Sequence, residues 1–209
     1  LFANRFPAGA VDNYKAESWT LETNISVGAW RAPRSNFIAG AEQSFLDEVA
    51  EAAGKDPIDF RLELFEKAMT NPVGEENDYD PARYAGVLKQ VREKANWGAD
   101  NAPAHRGVAA YYCHNSYVAQ VLDMEMEGGK PKIKTVHSAV DCGIVVNPIA
   151  ATNMMEGGVI DGLGHALYSA ITFKEGSPEK DNFGAYRLIR INEIPENQEV
   201  TFVENNVDP

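Results

Sequence analysis

Arg31 is the charged side chain of this sequence with the most chemical promise. It stands in Gly28-Ala29-Trp30-Arg31-Ala32-Pro33, ahead of a helical stretch whose first amides can meet an anion. A guanidinium placed there can grip a phosphate or an oxo group through two parallel hydrogen bonds. An ordinary surface arginine at a loop–helix junction fits the same position, and the residue types alone leave both readings open. The second unusual stretch runs from Val140 to Tyr168, V-D-C-G-I-V-V-N-P-I-A-A-T-N-M-M-E-G-G-V-I-D-G-L-G-H-A-L-Y. Gly157, Gly158, Gly162 and Gly164 fall inside its predicted helix, where each costs roughly 1 kcal/mol relative to alanine. Close approach of another backbone or of a ligand is the usual compensation.

Other chemistry is thin. The histidines at 105, 114, 137 and 165 match no zinc spacing, and Cys113-His114 predicts side chains on opposite faces of a strand. A metal site made wholly by these residues is not expected, and His165 reads as a polar packing residue. No phosphate-gripping loop, nucleophile elbow or dinucleotide fingerprint occurs, because the glycine cluster lies within a helix rather than at a strand-to-helix turn. Glu75-Glu76 sits in a polar loop and reads as solvated. Cys113 and Cys142 form no disulfide framework and read as small buried hydrophobes.

The elements that must carry these residues follow from periodicity. Alternation at Ser18–Thr23 predicts a strand. A helix then starts with Ser35 or Asn36 as cap, with Phe37, Ile38, Ala41, Phe45, Leu46, Val49 and Ala50 on its buried face and Glu42, Asp47, Glu48 and Glu51 largely away from it. Asp56-Pro57 and Asp80-Pro81 each start another helix, the aspartate capping and the proline occupying the first position. The first carries Phe60, Leu64 and Ala68 along one side. The second turns Tyr84, Val87, Leu88 and Val91 inward. From Gly107 the period becomes 2, and Gly128-Gly129 predicts a hairpin between strands at about 118–126 and 132–140. A helix from 148 to about 171, capped by Asn147, and short strands near 187–192 and 198–204 complete the reading. The fold class is α+β: a helical segment followed by a mostly antiparallel sheet with a long glycine-rich helix. Residues 1–98 and 99–209 form two expected subdomains, with the boundary near 98–105.

The composition narrows the partners. The 209 residues are 44% hydrophobic, enough for a core, and the net charge of −12 argues against nucleic acid. No run reaches the roughly 18 apolar residues of a membrane span. A start at Leu1 and a stop at Pro209 predict a piece of a longer protein, and localisation is left open between bacterial cytoplasm and periplasm.

Three motifs in order carry a resemblance: G-A-W-R-A-P, then E-Q-S-F-L-D-E-V-A-E-A-A-G-K-D-P-I-D-F-R-L-E-L, then V-D-C-G-I-V-V-N-P with E-G-G-V-I-D-G-L-G. Over residues 28–209 the chain resembles the molybdopterin-binding large subunit of the xanthine dehydrogenase and aldehyde oxidase family, in its isoquinoline 1-oxidoreductase branch. The resemblance implies a molybdenum hydroxylase that oxidises an N-heterocycle or an aldehyde with water as oxygen source. It implies a molybdopterin cofactor, in the cytosine dinucleotide form, and a small partner subunit with two two-iron, two-sulfur clusters. By motif position, Trp30 and Arg31 lie against the metal end of the cofactor, Pro33 lines the substrate pocket, and Asn153, Met154 and Gly157 contact the pterin. Met154 departs from the pattern, which commonly has glutamine there. The family's G-G-G-F-G and G-Q-G motifs are not in this sequence, and its catalytic glutamate, in G-x-G-E-P, is expected just beyond Pro209. On this reading the piece does not turn over alone and works with the remainder of the large subunit. Two other classes stand beside it: a non-catalytic homologue acting in binding or assembly, and an acidic α+β binding domain sharing only the fold.

Overall fold

A computed structural model describes residues 4–33, 35–74 and 77–208. Glu75 and Glu76 lie outside the described residues, as do Leu1 and Pro209.

Three helices come first, α1 (Ser35–Ala52), α2 (Pro57–Thr70) and α3 (Pro81–Lys94). Asp56 accepts hydrogen bonds from the amides of Ile58 and Asp59, and Asp80 does the same for Ala82 and Arg83. Each proline takes a first-turn position where its missing N–H is no loss. Tyr84, Val87, Leu88 and Val91 of α3 are all below 2% exposed. Burying side chains of this size stabilises by roughly 1.5–3 kcal/mol each.

The strands β1 (His105–Cys113), β2 (Ser116–Glu127) and β3 (Lys130–Asp141) form an antiparallel meander. Both glycines of the β2–β3 turn have positive φ, 57° and 78°, the backbone a two-residue hairpin requires. Helix α4 (Pro148–Leu167) then crosses back to β6 (Asn197–Phe202), which pairs in parallel with β3. A two-residue pair, β4 (Phe173–Lys174) and β5 (Ser177–Pro178), interrupts the return. The sheet order is β1-β2-β3-β6, mostly antiparallel with one parallel edge, and the architecture is α+β.

Alternation divides the two faces of the sheet. Val108, Ala110, Tyr117, Ala119, Val121 and Ala139 pack with Ile58, Phe65, Tyr84 and Leu88 of the helices in the main core. Val136 and Ile133 meet Val159 and Leu163 of α4 on the other side. The free edge of β1 is covered at Ala110, whose amide donates to Gln43 Oε1 at 3.0 Å and whose carbonyl accepts from the Tyr84 hydroxyl at 2.8 Å.

Four expectations need correction. Residues 18–23 form no strand; Trp19 and Leu21 are 78% and 88% exposed, and no neighbouring strand among the described residues pairs with them. Residues 187–192 form none either; Ile189 instead packs its side chain on Gly164 of α4 and on the cluster between α4 and β3. Helix α4 stops at Leu167, where Arg187 stacks on the ring of the following Tyr168 at 3.8 Å. Ser35 and Asn36 do not cap α1; they are its first helical residues.

The buried face of α1 is also rotated from the expected one. Gln43, Leu46 and Ala50 are buried, whereas Phe37, Ala41 and Phe45 are exposed. Glu42 turns inward instead of away, beside Arg5, Tyr84 and Tyr111, and burial lifts its carboxyl to about 7 against opposing contacts from Gln43, Arg5 and Arg61. A carboxyl raised in the fold binds more protons than in the unfolded chain, so its ionisation destabilises the fold as pH rises from about 4.5 to 7. Glu42→Gln is therefore expected to stabilise the chain at pH 8 by on the order of 1–3 kcal/mol and to be near neutral at pH 4. Urea unfolding of both proteins at the two pH values checks this; an equal difference at both would refute it.

Candidate functional site

The Gly28–Pro33 loop reaches α4 before entering α1. Ala32 takes a φ of 55°, the left-handed region that few non-glycine residues adopt, so the chain turns sharply after Arg31. Asn36 N–H donates to Ala32 O at 3.2 Å and Asn36 Nδ2 to Arg31 O at 3.4 Å, tying the turn to the helix start. Arg31 Nη1 then lies 3.4 Å from Asp161 Oδ2, and the Trp30 ring meets His165 edge to face at 5.5 Å between centroids. His165 Nε2 is itself 3.8 Å from Asp161 Oδ1, one helical turn away. Trp30 remains 55% exposed, and the Arg31 side chain 64%. An ion pair this open contributes at most about 1 kcal/mol, so the guanidinium is free to exchange partners.

The loop thus joins Trp30 and Arg31 to α4, but to Asp161 and His165 rather than to Asn153, Met154 and Gly157. At 1.5 Å per residue, Asn153 lies about 12 Å along the axis from Asp161. Met154, Gly158, Asp161 and His165 follow i, i+4, i+7, i+11 and share one side of the helix, while Val159 and Leu163 face the sheet. Asn153, Met154 and Gly157 are exposed. Around Gly157, Gly158 and Gly162, no group of the described residues beyond the helix's own nearby backbone lies within 4 Å of where a Cβ would stand. Only Gly164 is explained by packing, its Cβ position being 3.2 Å from Ile189 Cγ2. Pro33 is exposed beside the loop.

The start of α4 is set by a turn after β3. Asn147 accepts from the Ala150 amide at 3.1 Å as N-cap, with Pro148 behind it. Ahead of it, buried Asp141 accepts from both Nε and Nη2 of Arg83, at 3.1 and 2.6 Å. Burial alone would raise the Asp141 carboxyl; Arg83, Asn205 and the Gly143 amide outweigh it and hold it below the usual carboxylate range. Burial and the Asp141 charge together push the Cys142 thiol up.

Cys113 and His114 do not point to opposite faces. His114 and Asn115 form the two-residue turn between β1 and β2 with φ of 49° and 57°, which returns the His114 ring to within 3.1 Å of Cys113 Sγ. Among the described residues no cluster of three His, Cys, Asp or Glu side chains is placed to hold a metal ion, and no helix is long and apolar enough to cross a membrane.

The loop arginine thus stands beside an exposed, glycine-bearing helix. Residues 38–195 match the family described as Molybdopterin cofactor-binding domain, and the chain belongs to that family. It is 31% identical over 162 residues to the beta chain of isoquinoline 1-oxidoreductase from Brevundimonas diminuta, covering 75% of this chain and 19% of that protein. It is 28% identical over 201 residues to the membrane-bound aldehyde dehydrogenase [pyrroloquinoline-quinone] of Gluconacetobacter polyoxogenes, covering 90% and 25%. With a nicotinate dehydrogenase subunit of Pseudomonas putida it shares 26% over 175 residues, covering 74% and 14%. The chain therefore spans a quarter or less of the length of these relatives.

Proposed function

We propose that this chain supplies one wall of the cofactor cradle in a molybdopterin-dependent hydroxylase that oxidises an N-heterocycle or an aldehyde with water as oxygen source. The observation that carries the proposal is Arg31, held on α4 by a weak exposed pair with Asp161 beside a helix face left open at Gly157, Gly158 and Gly162. These residues fit an anionic, flat group: a guanidinium to pair with it, an indole to stack near it and glycines that let it approach the helix backbone. Trp30 and Arg31 would hold the metal end, Met154 and Gly157 with Asn153 would meet the pterin, and Pro33 would border the substrate. When bound, the molybdopterin, in its cytosine dinucleotide form, supplies the oxidation itself. Electrons would leave through a small partner subunit carrying two-iron, two-sulfur clusters, and the catalytic base would come from the remainder of the large subunit. The names of the relatives, which act on isoquinoline, nicotinate or aldehydes, support this substrate class. Residues 1–98 and 99–209 would enter the subunit as two adjoining segments.

The test is metal content of the full-length protein produced with its maturation machinery. Loss of a charge-assisted, forked contact weakens binding by about 1.5–3 kcal/mol, so Arg31→Ala is expected to lower molybdenum retention roughly ten- to a hundredfold. Arg31→Lys, which keeps the charge without the fork, should fall between. Full retention in Arg31→Ala would overturn the role of the loop. A second reading, a non-catalytic homologue, is favoured by Met154: its thioether, 65% exposed, cannot donate a hydrogen bond as glutamine does. Its signature is wild-type full-length protein free of molybdenum.

A further inference from the structure

Asp141 is a buried charge that the proposed chemistry does not use. It is 2% exposed and accepts from four donors: Arg83 Nε and Nη2 at 3.1 and 2.6 Å, Asn205 Nδ2 at 2.7 Å and the Gly143 amide at 3.3 Å. Arg83 lies over the Tyr117 ring at 4.7 Å and donates to Asn115 Oδ1 at 3.0 Å, so its fork has little freedom to turn. Three chain segments meet at this one carboxylate: the first turn of α3, the turn leaving β3 and the segment leaving β6.

The last two are laced together further. Val203 N–H donates to Val140 O at 2.7 Å, Ile144 N–H to Val207 O at 3.0 Å, and Val207 N–H to Asn205 Oδ1 at 3.0 Å. The turn runs directly into the Asn147 cap of α4, with Val146 and Ile149 87% and 77% exposed on either side. The main core meets this arrangement at Tyr117, which lies under Arg83, and at Val203, which packs against it.

We infer that Arg83, Asp141 and Asn205 form a positioning clamp, fixing the start of α4 and the 203–208 segment at one spacing so that both can bear on the same bound group. This rests on the functional reading above. A site assembled from separate segments holds its ligand only if their spacing is set by stiff contacts, and a desolvated Arg–carboxylate fork is one of the stiffest available. The clamp residues are positioning residues; none of them is assigned contact with the cofactor.

Asn205→Ala in the full-length protein is the decisive variant, since it removes one donor from Asp141 while leaving the Arg83 pair intact. The expected result is a thermal midpoint within a few degrees of wild type, at least fivefold faster loss of molybdenum per folded molecule, and faster amide exchange at Ile144 and Ala150 with α3 unchanged. Arg83→Lys should show the same pattern, because it keeps the charge and loses the fork. Wild-type metal retention with unchanged exchange at Ile144 and Ala150 would overturn the clamp. So would a drop in stability with normal retention by the folded fraction, since that is a structural ion pair and nothing more. If wild-type protein itself carries no molybdenum, the functional reading fails and the inference fails with it; that outcome is distinguishable because it appears before any variant is made.

Discussion

Arg61→Ala should cost the fold roughly 3–5 kcal/mol, the largest loss expected from any single truncation of a side chain here. Arg61 is 1% exposed inside the helical layer. Its Nε donates to Gln43 Oε1 at 3.0 Å, Nη1 to Pro57 O at 2.9 Å and Nη2 to Gln43 O at 3.0 Å. Asp47 Oδ1 lies 2.8 Å from Nη2, as an ion pair and not a well-directed hydrogen bond. Truncation takes one donor from each of Gln43 Oε1, Gln43 O and Pro57 O, leaves Asp47 without its cation and opens a void the size of the side chain. Arg61→Met, which fills the space, should recover only the packing part, because methionine replaces none of the lost donors. Urea unfolding followed by circular dichroism checks both variants; a wild-type midpoint for Arg61→Met would show that the polar contacts contribute nothing net.

That same arginine marks where legibility in the sequence ends. The caps of α2 and α3 could be read because Asp-Pro acts within four residues. Four of the five buried residues of α3, all but Ala85, could be read because one helix side carried them at regular spacing. The Gly128-Gly129 hairpin is equally local. The face of α1 was not legible, since it is chosen by Arg61, 18 residues beyond Gln43, and by the open edge of β1. Apolar spacing pointed to Phe37, Ala41 and Phe45; tertiary contacts selected Gln43 instead. The strand expected at 18–23 fails for a related reason: alternation is a property of one segment, but a strand exists only with a partner.

The candidate residues were named by motif, but the contacts they make were not legible. Trp30 and Arg31 do reach α4, yet they meet it at Asp161 and His165. A contiguous motif draws attention to neighbours such as Asn153 and Met154, whereas a helix presents every third or fourth residue. Extending the stripe from Met154 through Gly158 would have pointed to both missed residues. Asp141 was harder to see. It stands at the end of an apolar strand before Cys-Gly, where an aspartate ordinarily marks a turn facing water, and its cation, Arg83, comes from a helix 58 residues earlier.

Gly143→Ala is expected to detach the 203–208 segment and to cost about 2–4 kcal/mol, through backbone strain and a clash the surroundings cannot relieve. Gly143 has a φ of 74°, which alone penalises alanine by roughly 1–2 kcal/mol. Its added Cβ would stand 2.4 Å from the backbone oxygen of Val207 and 3.0 Å from that of Asp208. Backbone atoms cannot rotate aside as a side-chain end can, so the segment has to move. Moving it breaks the Ile144–Val207 hydrogen bond and draws Asn205 off Asp141. Hydrogen exchange should then show protection lost at Ile144 while the β1–β2 amides keep theirs, with a lowered thermal midpoint. Retained protection at Ile144 would mean that the turn, rather than the segment, yields, and that the two are less firmly joined than their contacts imply.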